Sequence, residues 1–79
     1  MDEQQVIDSV VAILMPFAKN HETNITKDTS ILKDLRVNSA RLVDVVIEIE
    51  DKFGIEVKDD DVDTIRTVGD AVALILSKK

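Results

Sequence analysis

Asn38-Ser39-Ala40-Arg41-Leu42-Val43-Asp44-Val45-Val46-Ile47-Glu48-Ile49-Glu50-Asp51-Lys52-Phe53-Gly54 holds one uninterrupted helical pattern. Leu42, Val45, Val46, Ile49 and Phe53 recur at the spacing that places side chains on one face of a helix. Asn38 and Ser39 are both residue types that cap a helix N-terminus, and Gly54 can adopt the left-handed conformation that ends one. The pattern predicts a helix from about Ser39 to Phe53. Turning about 100° per residue from a core face centred on Leu42 puts Ala40, Asp44, Ile47 and Asp51 on the far side, with Val43 and Glu48 at its flanks. That outer face is acidic with apolar islands. Two readings fit it: a solvated surface whose Val43 and Ile47 touch a neighbouring element, or a docking face for basic partners.

Working outward, Val6, Ile7, Val10, Val11, Ile13, Leu14 and Phe17 predict an earlier amphipathic helix opened by Asp2 or Glu3. Pro16 removes a backbone donor and clashes with the preceding turn. The helix is therefore expected to reach about Met15 and then kink, or stop and restart as a short turn. Residues 20–37 are polar and rich in turn formers, Asn20, Thr23, Asn24, Thr26, Asp28, Thr29 and Ser30 among them. They form a long loop, pinned by Ile25, Ile31 and Leu35 rather than free. After Gly54, Asp59 to Ile65 suits a short acidic-headed helix of about one or two turns, with Val62 and Ile65 inward. Thr67 then caps a last helix whose inner face is Val68, Ala71, Val72, Ile75 and Leu76, with Asp70 in its first turn and Lys78-Lys79 at its end. The expected fold is all-α: a small four-helix bundle of three longer helices and one short one, with a long loop between the first two.

Composition narrows the function. Seventy-nine residues leave room for one small domain, and two Gly, one Pro and a 44% hydrophobic fraction describe a folded, helical chain. The aromatics are just two Phe, so the core is built from Val, Ile and Leu. Ten Lys and Arg against sixteen Asp and Glu give a net charge of −6, the wrong sign for nucleic acid and a repulsive one for anionic membranes. The longest apolar stretch, Val10 to Met15, is too short to span a bilayer, and Met1-Asp2-Glu3 lacks the positive start of a signal peptide. With no Cys, disulfides, thiolate metal sites and Cys nucleophiles are excluded, and a cytoplasmic location is expected.

Ser39 lies at the head of the central helix, where free N–H groups and the helix dipole favour an attached phosphate; taken alone the pair Asn38-Ser39 is better explained by ordinary capping. Ser39 is no hydrolase nucleophile, since no Gly-x-Ser-x-Gly turn surrounds it and the sole histidine, His21, belongs to the polar loop as a solvated residue. Asp59, Asp61, Asp63 and Asp70 occupy calcium-loop positions, but Thr64 stands where the loop needs Gly and Asp70 where it needs a bidentate Glu. Acidic capping of a short helix is the better account, and no metal site is assigned.

The runs Asp34-Leu35-Arg36-Val37-Asn38-Ser39-Ala40, Val43-Asp44-Val45-Val46, Glu50-Asp51-Lys52-Phe53-Gly54-Ile55-Glu56-Val57 and Thr67-Val68 together resemble the acyl carrier protein family, over nearly all of residues 1–79. The resemblance implies a cytoplasmic, monomeric, non-catalytic bundle that carries acyl groups as thioesters. They would ride on a 4′-phosphopantetheine arm, transferred from coenzyme A to Ser39 by a phosphopantetheinyl transferase. It implies docking of that enzyme, and of acyl-loading, synthase or transferase enzymes with basic patches, on Asn38, Ala40, Arg41, Val43, Asp44, Ile47, Glu48 and Asp51. It also implies an acyl-chain pocket lined by Ile31, Val45, Ile49, Val62, Ile65 and Ala71. The family's usual Asp-Ser-Leu is here Asn38-Ser39-Ala40, Arg41 stands where an acid is common, and Arg36 replaces a small Gly. These departures suggest a specialised carrier for a lipid or natural-product pathway. The alternatives are a peptidyl or D-alanyl carrier, distinguished by aminoacyl loading, and an unmodified acidic interaction module, indifferent to Ser39→Ala.

Overall fold

A computed structural model describes residues 2–21 and 24–78 of the chain. Met1, Thr23 and Lys79, which enter the sequence reading, lie outside the described residues. Four α-helices follow in order: α1 Glu3–Leu14, α2 Leu42–Phe53, α3 Asp59–Val62 and α4 Val68–Lys78. Short 3-10 turns, Met15–Phe17 and Ser39–Arg41, follow α1 and precede α2. Among the described residues the only extended pairing is a single antiparallel bridge between Ser30 and Thr67.

Each end has a local cause. Asp2 caps α1 by accepting from the Gln4 N–H at 3.1 Å. The helix stops at Leu14, one residue before the expected Met15, because Pro16 can sit in the first turn of a new 3-10 segment but not inside an α-helix. Gly54, at φ 64, closes α2 as expected. Two boundaries differ from the sequence reading. Ser39 to Arg41 wind as a 3-10 turn, so α2 begins at Leu42 rather than at about Ser39. The short helix ends at Val62 instead of Ile65, and Ile65 is buried from the connector beyond it. Four residues are too few to sustain an α-helix by propensity, so packing sets where α3 stops. At α4, the Asp70 carboxylate accepts from the N–H groups of Arg66 and Thr67, and Thr67 Oγ1 accepts from the Asp70 N–H, a reciprocal cap.

The core draws on three of the helices, Val6, Val10, Ile13 and Leu14 from α1, Val45, Val46, Ile49 and Phe53 from α2, and Val68, Ala71, Val72 and Ile75 from α4, with Val62 of α3 packed partly buried against it. The long loop is anchored to the core and to α4. Ile31 and Leu35 are fully buried and Ile25 packs against the core, as expected of the pins. Backbone bonds tie the loop to the head of α4: Ile31 N–H to Arg66 O at 3.0 Å, Val68 N–H to Thr29 O at 3.0 Å and Gly69 N–H to Lys27 O at 2.8 Å. Gly69 is required here, because a Cβ would stand 2.9 Å from the Lys27 carbonyl oxygen. Thr29 is buried in the junction, where its hydroxyl accepts from the Thr26 N–H and donates to the Asn24 carbonyl. Nothing in the local sequence marks that burial.

Candidate functional site

The loop delivers Ser39 to the head of α2 by a sequence of turns. Ser30 N–H donates to the Asp34 carboxylate at 2.7 Å, and Asp34 and Leu35 N–H groups return to the Ser30 carbonyl. Arg36 then takes φ 57, the left-handed region, which reverses the chain so that Val37 N–H reaches Ile31 O at 3.1 Å. A side chain in that region costs about 1–2 kcal/mol that Gly would avoid. Two residues later Asn38 caps the turn, its side-chain oxygen accepting from Ala40 N–H at 2.9 Å. Asn38 therefore performs the capping that Ser39 shared with it in the sequence reading. Ser39 is exposed, and its hydroxyl makes no hydrogen bond to any described residue. An exposed hydroxyl that gives up no internal bond fits a covalent phosphodiester.

Down the outer face of α2, Val43 is 56% and Ile47 53% exposed. Each also borders a groove shared with Val57 and Val62, so a solvated surface touching a neighbouring element and a docking face both remain compatible with their placement. Ala40, Arg41, Glu48 and Asp51 are exposed around them, and Asp44 is half-buried. Arg41 Nη1 lies 3.1 Å from Asp44 Oδ2, an ion pair between two of the residues expected to dock partners. A groove beside this face is lined by Val43, Val46, Ile47, Val57 and Val62 and rimmed by Glu50, Asp59 and Asp63. Glu50 does further work there, accepting the Val57 N–H at 3.0 Å and so fixing the chain after α2.

The six residues expected to line an acyl pocket do meet in the interior. Ile31, Val45, Ile49, Ile65 and Ala71 are buried in one cluster, and Val62 packs partly buried against it. They are close-packed, and Val62 and Ile65 reach a surface groove of about 480 Å³ shared with Leu42, the 40%-exposed Leu32 and the cations Lys33 and Arg66. Lining by Leu32 was missed in the sequence, since a lone apolar residue in a polar loop carries no periodicity. A third groove, of about 470 Å³, is walled by Pro16, Phe17, Ala18 and Lys19, which follow α1, and by Asn38 and Arg41, on either side of Ser39 in the chain. Lys19 too was missed, because the fold alone brings it into one groove with Asn38 and Arg41.

His21 donates through Nε2 to the Ala18 carbonyl at 2.8 Å, more engaged than a solvated loop residue. In α3, Asp61 is paired with Lys78 at 3.1 Å and accepts from the Lys58 N–H. The Lys78 hydrogen bond, then the Lys58 backbone bond, hold its carboxyl below the ordinary aspartate value. Among the described residues, no group of three or more His, Asp or Glu side chains is arranged to hold a metal ion, and no helix is long and apolar enough to cross a membrane.

Residues 8–75 match the family model described as "Phosphopantetheine attachment site". The chain is 34% identical over 77 residues to an acyl carrier protein of Lactobacillus acidophilus, covering 98% of this chain and 96% of the relative. It is 32% identical over 73 residues to a meromycolate extension acyl carrier protein of Mycolicibacterium aurum, covering 92% of this chain and 75% of that one. Among solved structures, an acyl carrier protein from Enterococcus faecalis superposes with a TM-score of 0.83 at 33% identity over all of both chains.

Proposed function

We propose, since this chain belongs to the acyl carrier protein family, that Ser39 Oγ is the point at which its 4′-phosphopantetheine arm is joined. The thiol at the end of such an arm holds an acyl group as a thioester. The chain's own residues present, orient and deliver that group, with residues 1–79 working as one cytoplasmic, monomeric unit that performs no catalysis of its own. One observation carries this reading: Ser39 is exposed, its hydroxyl is free of hydrogen bonds to described residues, and it opens the turn that leads into α2, whose outer face is both apolar and acidic.

That face supports docking on Asn38, Ala40, Arg41, Val43, Asp44, Ile47, Glu48 and Asp51. Val43 and Ile47 supply desolvation, and Glu48 and Asp51 supply charge to a basic partner. Asp44 is shared with Arg41, so the head of the helix offers less negative charge than its middle. The close-packed interior supports an acyl chain entering only as α3 yields: Val62 and Ile65 stand at the groove, with Ile31, Val45, Ile49 and Ala71 behind them. A four-residue helix is the element with least to lose by moving. Arg36, Ala40 and Arg41 support service in a specialised lipid pathway with its own synthase or transferase, and the named function of the M. aurum relative points the same way.

Intact mass after incubation with coenzyme A and a panel of phosphopantetheinyl transferases tests the attachment. The expected result is one phosphopantetheine adduct on the native chain and none on Ser39→Ala. An adduct that survives Ser39→Ala, or none with any transferase, would refute it.

A further inference from the structure

We propose that the groove walled by Lys19 and Arg41 is a seat for the arm itself, with the two cations holding the phosphodiester and Pro16 and Phe17 receiving the branched aliphatic part next to it. The inference rests on attachment at Ser39. On a chain of net charge −6, a phosphodiester meets mostly repulsive surface. The groove between α2 and α3 is rimmed by Glu50, Asp59 and Asp63, and the one at Leu42 sets Asp63 beside Lys33 and Arg66. The groove on the α1 side carries two cations and no carboxylate among its lining residues.

Its wall also brackets the attachment residue in the chain: Asn38 precedes Ser39, Arg41 follows it by two, and both line the groove. Arg41 gives one nitrogen, Nη1, to Asp44, and a guanidinium has further donors to offer an anion. The opposite wall is fixed in place: the N–H of Lys19 bonds to the carbonyl of the fully buried Leu35 at 3.0 Å, while the Lys19 side chain is exposed and makes no ion pair with a described residue. Pro16, Phe17 and Ala18 give the groove an apolar part beside its two cations, which suits an arm that is ionic at its root and aliphatic beyond it. Such a seat directs the root of the arm toward α1, away from the Val43–Ile47 face, and leaves that face clear for a partner.

Backbone amide shifts of the full chain, with and without the arm, test the seat, with intact mass read on each sample. The expected result is a change at Phe17, Ala18 and Lys19 as well as at residues 38–42. The changes at 17–19 are expected to fall by at least about half in Lys19→Gln/Arg41→Gln, and likewise in 1 M NaCl, where screening acts within about 3 Å. Lys33→Gln/Arg66→Gln should leave them intact. Changes confined to residues 38–42, or changes at 17–19 indifferent to the first pair of substitutions, would overturn the seat alone. A chain that gains no mass would overturn both the seat and the attachment.

Discussion

Truncating Val43 and Ile47 together separates a docking face from a merely wetted one. Each is a little over half exposed, and burying a whole side chain of this kind is worth about 1.5–3 kcal/mol, so a partner that covers the exposed half gains about 1 kcal/mol from each. Val43→Ala/Ile47→Ala should therefore weaken transferase recognition by about 2 kcal/mol, or about thirtyfold in kcat/KM, and each single change by about fivefold. Folding should barely register the change, because the atoms removed are largely those already in water; the thermal midpoint should move by less than about 4 °C. Val46, the buried neighbour on the same helix, gives the contrast: Val46→Ala removes core and should lower the midpoint clearly. The assay is transfer of the arm from coenzyme A, followed by mass at several carrier concentrations, beside thermal unfolding of each variant. Unchanged kcat/KM in the double variant, with unchanged midpoint, would refute the docking role and return Val43 and Ile47 to solvated surface.

Arg36→Gly should raise stability by about 0.5–1 kcal/mol, the relief of a left-handed side chain less the added freedom of Gly in the unfolded chain, read as a higher denaturant midpoint. A second prediction concerns acid. Asp61 is depressed in the folded chain, chiefly by its hydrogen bond from Lys78, so it contributes stability in full above its unfolded value near about 4 and loses it as the pH falls through the lower folded value. Unfolding midpoints followed from pH 6 to about 2 should fall less steeply below about pH 4 in Asp61→Asn than in the native chain, and parallel curves would show that the tie between α3 and α4 does not matter.

The helices and their caps were legible because they are local. The stripe Leu42, Val45, Val46, Ile49 and Phe53, the caps at Asp2 and Thr67, the stop at Gly54 and the restart at Pro16 each depend on neighbours within about one turn, which a sequence displays directly. The same locality places Ser39 at a helix head. What local pattern cannot supply is the length of the elements that packing trims: the 3-10 start of α2 and the early end of α3 follow from how each end meets the core.

The partners of the long loop lie far along the chain, at Arg66, Val68 and Gly69 on one side and Lys19 on the other, and only the assembled chain shows that Thr29 is buried, that Gly69 lets Lys27 approach, and that Leu35 holds Lys19 in one groove with Arg41. The sequence by itself determined an acidic four-helix bundle with a serine at the head of its central helix. Which side chains surround that serine, and which apolar ones stay in water, was decided by tertiary structure, because charge and burial at a surface depend on segments that meet only when the core closes.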